Sequence, residues 1–142
     1  MNIKDEMAKA VTGFHRAVFR SSQGRLLGRA GGMPVVELTT TGRKSGKERS
    51  TMLTAPIVEG DKLVLVASYG GDDRDPAWYV NLKANPEVTA TTGGSTRKMV
   101  AHTASDDEKA ELWPRITGKY KGYAGYQKKT DRPIPVVVLE PK

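Results

Sequence analysis

The densest cluster of side chains able to do chemistry is Thr41-Gly42-Arg43-Lys44-Ser45-Gly46-Lys47-Glu48-Arg49. Its glycines let backbone N–H groups converge, Ser45 adds a hydroxyl, and Arg43, Lys44 and Arg49 offer the charge-assisted bonds that phosphate oxygens accept. The plainer reading of the same string is a solvated turn. In a second segment, Val66-Ala67-Ser68-Tyr69-Gly70-Gly71, small residues after an apolar run let a flat ring approach backbone donors. Pro76-Ala77-Trp78-Tyr79-Val80-Asn81 then places an aromatic ring and an amide at a helix start, where partial positive charge favours an anion; Trp78 as ordinary core is the alternative. Finally, Tyr120, Tyr123 and Tyr126 stand three residues apart, interleaved with Gly122 and Gly125. Such spacing keeps the phenols on neighbouring parts of one helical face, while each glycine costs a helix ~1 kcal/mol relative to Ala. The expectation is a marginal, mobile helix serving as a lid, with three tyrosines simply packed on the domain as the open alternative.

The elements that must position these groups follow from periodicity. Met7, Ala10, Val11, Phe14 and Val18 recur at three and four, which predicts an amphipathic helix over residues 6–19, packed on the domain or resting on anionic lipid. A Gly- and Arg-rich linker follows, so residues 1–32 are read as helix and linker and residues 33–142 as the main domain. There the pattern changes to β-type runs over residues 35–41, 50–58, 63–68, 87–91, 96–103 and 136–139, separated mostly by short turns. A helix is expected over residues 76–84. Ser105 and Glu108 form a capping box that opens another, which Pro114 should bend or end. Six strands joined this way favour a small antiparallel barrel over a doubly wound parallel sheet.

Composition removes whole classes of function. With no cysteine, disulfides, thiolate metal sites and cysteine nucleophiles are excluded, and His15 and His102 are too far apart in sequence to suggest a metal centre. Asp72, Asp73 and Asp75 are expected to remain in solvent. No histidine–carboxylate or Ser–Lys arrangement points to hydrolysis or acyl transfer. A net charge of +7 calls for an anionic partner. No aromatic–basic surface suggests nucleic acid, and no apolar run reaches the ~20 residues of a membrane span. Asp5 and Glu6 stand where a secretory signal would be basic, so a cytoplasmic protein is expected, with peripheral contact at the inner membrane face as the variant reading.

Taken together, Leu38-Thr39-Thr40-Thr41-Gly42-Arg43-Lys44-Ser45-Gly46 with Arg49, Ala67-Ser68-Tyr69-Gly70-Gly71 and the run Pro76-Ala77-Trp78-Tyr79-Val80-Asn81-Leu82-Lys83-Ala84-Asn85-Pro86 resemble the deazaflavin-dependent nitroreductase family of actinobacteria, the A branch of the flavin/deazaflavin oxidoreductases. The resemblance spans about residues 33–141 and includes Trp113-Pro114, the tyrosine series and Asp131-Arg132-Pro133-Ile134-Pro135. It implies a split β-barrel that binds coenzyme F420, a hydride carrier bearing a phosphate and an oligoglutamate tail. By position it assigns Arg43, Lys44, Ser45 and Arg49 to the phosphate end, and Ser50, Thr51, Met52, Leu53 and Thr54 to the strand beneath the ring. Val66, Ala67, Ser68 and Tyr69 fall at the ring edge, Ala77, Trp78, Tyr79, Val80 and Asn81 at the helix facing the cofactor, and Tyr123 above it. Catalytic roles beside the substrate go to Ser68, Tyr120, Tyr123 and Tyr126.

Two positions depart from the family. Members that activate nitroimidazole prodrugs carry a tyrosine where this chain has Thr54, and a lysine is usual where it has Tyr69. The activity implied is hydride transfer from reduced F420 to a quinone, enone or nitro compound, with Tyr126 or Ser68 stabilising the oxygen that gains charge. The alternatives are an FMN-binding split-barrel oxidoreductase and a non-catalytic carrier of the deazaflavin or of a lipid.

Overall fold

A computed structural model describes residues 29–30 and 33–142. The helix expected over residues 6–19 and most of the linker lie outside the described residues. Among the described residues, eight strands form one antiparallel sheet: β1 (Arg29–Ala30), β2 (Met33–Thr41), β3 (Glu48–Thr54), β4 (Ile57–Glu59), β5 (Lys62–Val66), β6 (Glu87–Thr92), β7 (Ser95–Thr103) and β8 (Val136–Pro141). Strand β2 pairs with β3, β6 and β1, and the sheet continues through β7 and β8 to β5 and β4. The curled half-barrel matches the split-barrel expectation. The expected single strand over residues 50–58 is corrected to two, because Pro56 has no N–H to give a ladder. Ala55 instead donates to the Pro34 carbonyl at 3.0 Å, and the chain leaves β3 for β4.

Among the described residues, three α-helices flank the sheet: α1 (Ala77–Ala84), α2 (Asp106–Lys119) and α3 (Gly122–Lys128). At the start of α2, Ser105 Oγ accepts from the Glu108 N–H and Glu108 accepts from the Ser105 N–H, the expected reciprocal cap. Pro114 does not end α2, contrary to one form of the expectation. It lies on an exposed face, where the Ala110 carbonyl it leaves without a helical donor can meet water. No helix among the described residues is long and apolar enough to cross a membrane.

Strand β5 explains why residues 63–67 read as an unbroken apolar run. Leu63 and Leu65 face one core with Val36, Leu38, Leu82 and Leu139, whereas Val64 and Val66 face a second with Ile57, Ile116, Ile134 and Val136. Both faces of the sheet are therefore covered here, so no alternation survives. Tyr79 and Leu82 of α1 cover the first core, and Ile116 of α2 and Tyr123 of α3 reach the second. These contacts fix the three helices against which the open side of β3 can form a cleft.

Candidate functional site

A cleft of about 1140 Å³ runs along β3, from the basic loop before it to the tyrosines beyond its end. From Arg49 to Thr54 the strand advances roughly 17 Å, which gives the cleft an elongated outline. At the basic end, Gly42 N–H donates to the Lys47 carbonyl at 2.8 Å and Gly46 N–H to the Gly42 carbonyl at 2.9 Å, closing the turn. A Cβ at Gly42 would lie 2.7 Å from Ser45 Oγ, so this tight turn favours glycine. Asn81 of α1 is 5% exposed, and its Oδ1 accepts from both the backbone N–H and Nη1 of Arg43, each at 3.2 Å. Its amide thus ties the loop to a helix 38 residues away. None of Arg43, Lys44, Lys47 and Arg49 has a carboxylate partner in an ion pair among the described residues. Their charges remain available to an anion.

The middle of the cleft is a backbone surface. Tyr69, Gly70 and Gly71 have φ values of 46°, 65° and 84°, three consecutive left-handed residues. For Tyr69 this conformation costs on the order of 1–2 kcal/mol. A Cβ at Gly71 would lie 2.9 Å from the Tyr126 carbonyl oxygen, so the loop is packed closely against α3. Ser68, Tyr69 and Gly70 line the cleft, and their backbone N–H groups have no hydrogen-bond acceptor among the described residues. Tyr69 has the Arg74 guanidinium 5.7 Å from its ring centroid. Arg74 in turn bonds to Asp72, holding that carboxyl at about 2, below its usual range.

At the far end, Tyr123 is 5% exposed, and its hydroxyl lies 3.0 Å from Thr54 Oγ1 and 3.9 Å from Met33 Sδ. Burial pushes its phenol upward from the ordinary value, and contact with Tyr120 does the same for Tyr126. The rings of Tyr120 and Tyr126 meet Tyr123 edge-on, with centroids 5.1 and 6.1 Å away. The expectation of one helix carrying all three is corrected: Tyr120 caps α2, and α3 begins after it. The break is accommodated by Gly122, because a Cβ there would lie 2.7 Å from the Tyr120 ring.

Of the residues singled out by sequence, Arg43, Lys44, Ser45 and Arg49 line the cleft together with residues 50–54, Val66, Ser68, Tyr69, Ala77, Trp78, Asn81 and the three tyrosines. Ala67, Tyr79 and Val80 do not. Ala67 is fully buried in the first core, and Tyr79 is 4% exposed with its hydroxyl 3.0 Å from Thr103 Oγ1. Helical geometry turns Val80 away from a cleft reached by Ala77, Trp78 and Asn81. Met33, Val35, Thr40, Gly42, Gly70 and Pro76 also line it. The hydrophobic alternation at Met33 and Val35 signals a buried face without distinguishing cleft from core.

A cleft of this size exceeds the ~300–1,000 Å³ usual for one small ligand, leaving room for a cofactor and an acceptor together. Cations without carboxylate partners and N–H groups without acceptors among the described residues, together with a phenolic wall along one axis, suit a molecule that is anionic at one end and planar at the other. Comparison with known proteins agrees. The family model described as F420H(2)-dependent quinone reductase matches residues 12–141. The chain is 44% identical over 131 residues to an F420H(2)-dependent quinone reductase of Mycobacterium tuberculosis, covering 88% of this chain and 86% of the relative. Among solved structures, an F420-H2 dependent reductase superimposes with a TM-score of 0.68 at 42% identity, covering 75% of this chain and 94% of that one. Another, described as a domain-swapped dimer, gives 0.73 at 36% identity over 98% of this chain and all of its counterpart. The chain belongs to the F420H(2)-dependent quinone reductase family.

Proposed function

We propose that this protein binds coenzyme F420 along β3 and uses the reduced form to reduce a conjugated acceptor, a quinone foremost, with enones and nitro compounds as further candidates. The observation that carries the reading is the continuity of one cleft from the charged loop to the phenols in a chain of this family. Arg43, Lys44, Ser45 and Arg49 hold the phosphate end through charge-assisted bonds. The N–H groups of Ser68, Tyr69 and Gly70 face the ring edge, while Ser50, Thr51, Met52, Leu53 and Thr54 form the floor. When bound, the reduced cofactor supplies a hydride from C5 of its ring.

The protein contributes alignment and directed hydrogen bonds. Met33, Val35 and Val66 exclude water beside the reacting centre. Tyr126 and Ser68 present hydroxyl donors to an acceptor oxygen as its charge grows, interactions that strengthen in the transition state. Tyr123, bonded to Thr54, forms a fixed side wall, and Tyr120 closes the outer edge. Thr54 in place of a tyrosine alters the acceptor pocket while leaving the cationic end intact. Peripheral lipid contact by the amphipathic pattern over residues 6–19 is a separate element of the proposal, read by co-sedimentation with anionic vesicles.

The decisive experiment is anaerobic mixing of protein and reduced F420 with menadione, cyclohexenone or a nitroimidazole, following return of the oxidised absorbance. Oxidation with menadione is the expected result. Tight F420 binding without oxidation by any acceptor overturns the reductase reading in favour of a carrier, and preferential FMN binding overturns the cofactor assignment.

A further inference from the structure

We infer that Arg132, which does not line the cleft, is a positioning residue that aims the peptide N–H groups of Ser68 and Tyr69 at the cofactor ring. This inference rests on the proposed F420 site. The Arg132 side chain is 15% exposed, and its guanidinium grips the opposite side of the ring-edge loop. Nη2 donates to the carbonyls of Ala67 at 3.2 Å and Ser68 at 3.0 Å, Nε donates to the Asp72 carbonyl at 3.1 Å, and Nη1 reaches Asp75 Oδ1 at 3.1 Å.

The direction of the donors follows from peptide geometry. In a planar trans peptide the C=O of one residue and the N–H of the next point opposite ways. Holding the Ala67 carbonyl on Arg132 therefore turns the Ser68 N–H away from Arg132, and holding the Ser68 carbonyl does the same for Tyr69. Ser68 and Tyr69 both line the cleft. A cation on each carbonyl also polarises the peptide unit, strengthening its N–H as a donor. Lysine would retain the charge but lose the planar fork that reaches several carbonyls at once.

The same residue relates the loop to the phenolic wall. Arg132 N–H donates to Thr130 Oγ1 at 3.2 Å, and that hydroxyl donates to Asp73 at 2.5 Å. Gln127, next to Tyr126 on α3, donates to the Arg132 carbonyl at 2.9 Å and accepts from the Ile134 N–H at 3.0 Å. The turn containing Arg132 thus fastens both the ring-edge loop and the end of α3. Cofactor orientation and Tyr126 placement share one anchor.

The test compares wild type, Arg132→Lys and Asp75→Asn by F420 titration, thermal melting and backbone amide spectra with and without F420. Arg132→Lys should weaken F420 binding roughly tenfold or more, whereas Asp75→Asn, which keeps the carbonyl contacts, should change it less than about twofold. In wild type, F420 should shift the Ser68 and Tyr69 amide protons strongly, and Arg132→Lys should reduce those shifts at saturating F420. Equal affinity in wild type and Arg132→Lys overturns the positioning role, as does weakening in both variants in proportion to their losses in melting temperature. Should Arg132→Lys not fold, absence of Ser68 and Tyr69 shifts in F420-bound wild type overturns the role, and their presence supports it. No F420 binding by wild type instead overturns the proposed function.

Discussion

At the basic end of the cleft, Arg43, Lys44, Ser45 and Arg49 are exposed and the loop is anchored from behind by Asn81, whereas at the phenolic end Tyr123 is buried and its hydroxyl faces Thr54. The cations keep their hydration until a ligand arrives, which suits capture of a long, flexible anion. Tyr123 is desolvated in advance, and Tyr120 and Tyr126 pack edge-on against it, so the wall has a fixed shape and little reorganisation remains when charge develops. On the proposed function, capture and chemistry belong to separate ends of one surface, and perturbing each end should affect different measured quantities.

The largest expected effect comes from removing two cations. Arg43→Ala combined with Lys44→Ala should weaken F420 affinity by about 100-fold or more, since each bond to a charged group contributes ~1.5–3 kcal/mol. Turnover at saturating cofactor should change much less. A calorimetric titration with steady-state rates checks this, and equal losses in affinity and turnover would break the division of labour. Next is Tyr126→Phe, expected to lower turnover on the order of tenfold while leaving cofactor affinity nearly intact. Unchanged turnover in this variant would move the donor role to Ser68.

A smaller effect is expected from Thr54→Val, which removes the partner of the Tyr123 hydroxyl at similar volume. Loss of one hydrogen bond should cost ~1 kcal/mol and lower Tm by about 2–4 °C. A melting curve identical to wild type would mean that the contact does not hold the wall.

The smallest effect concerns pH. Burial raises the Tyr123 pKa above its ordinary value of 10.0. The folded state therefore binds this proton more tightly than the unfolded chain, so its contribution is fully present below pH 10.0 and is lost as pH rises through the folded value. Turnover dependent on the phenols should stay flat from neutrality to about pH 9, and phenolate absorbance should show Tyr123 among the last to ionise. Early ionisation of Tyr123 would contradict the buried-wall description.

The residues on the cleft surface were more legible in sequence than the residues that hold them. Arg43, Ser68 and Tyr126 stand in strings whose glycines, hydroxyls and spacing signal recognition. Asn81 lines the cleft and its Oδ1 also holds Arg43, a tertiary contact that local spacing does not encode. Arg132 enters the sequence reading only within the string over residues 131–135 of the resemblance, and its role appears once the fold brings residues 67–75 to it. Strand boundaries were legible where turns are tight and less so at Ala55–Pro56, where apolar character continues as the chain changes partner. The tyrosine triplet reads in sequence as one helix, because the close packing of the Tyr120 ring on Gly122 exists only in three dimensions.

The walls of the cleft come from distant stretches of chain: Arg43 meets Asn81 across 38 positions, Thr54 meets Tyr123 across 69, and Arg132 meets Ala67 across 65. A partly folded molecule consequently has no half-formed pocket with which to hold the coenzyme. Ligand occupancy should act as a selective reward for complete folding, raising the melting point with the logarithm of free coenzyme once it exceeds Kd. In a cell, scarcity of that coenzyme would then shorten the lifetime of this protein as well as idle it.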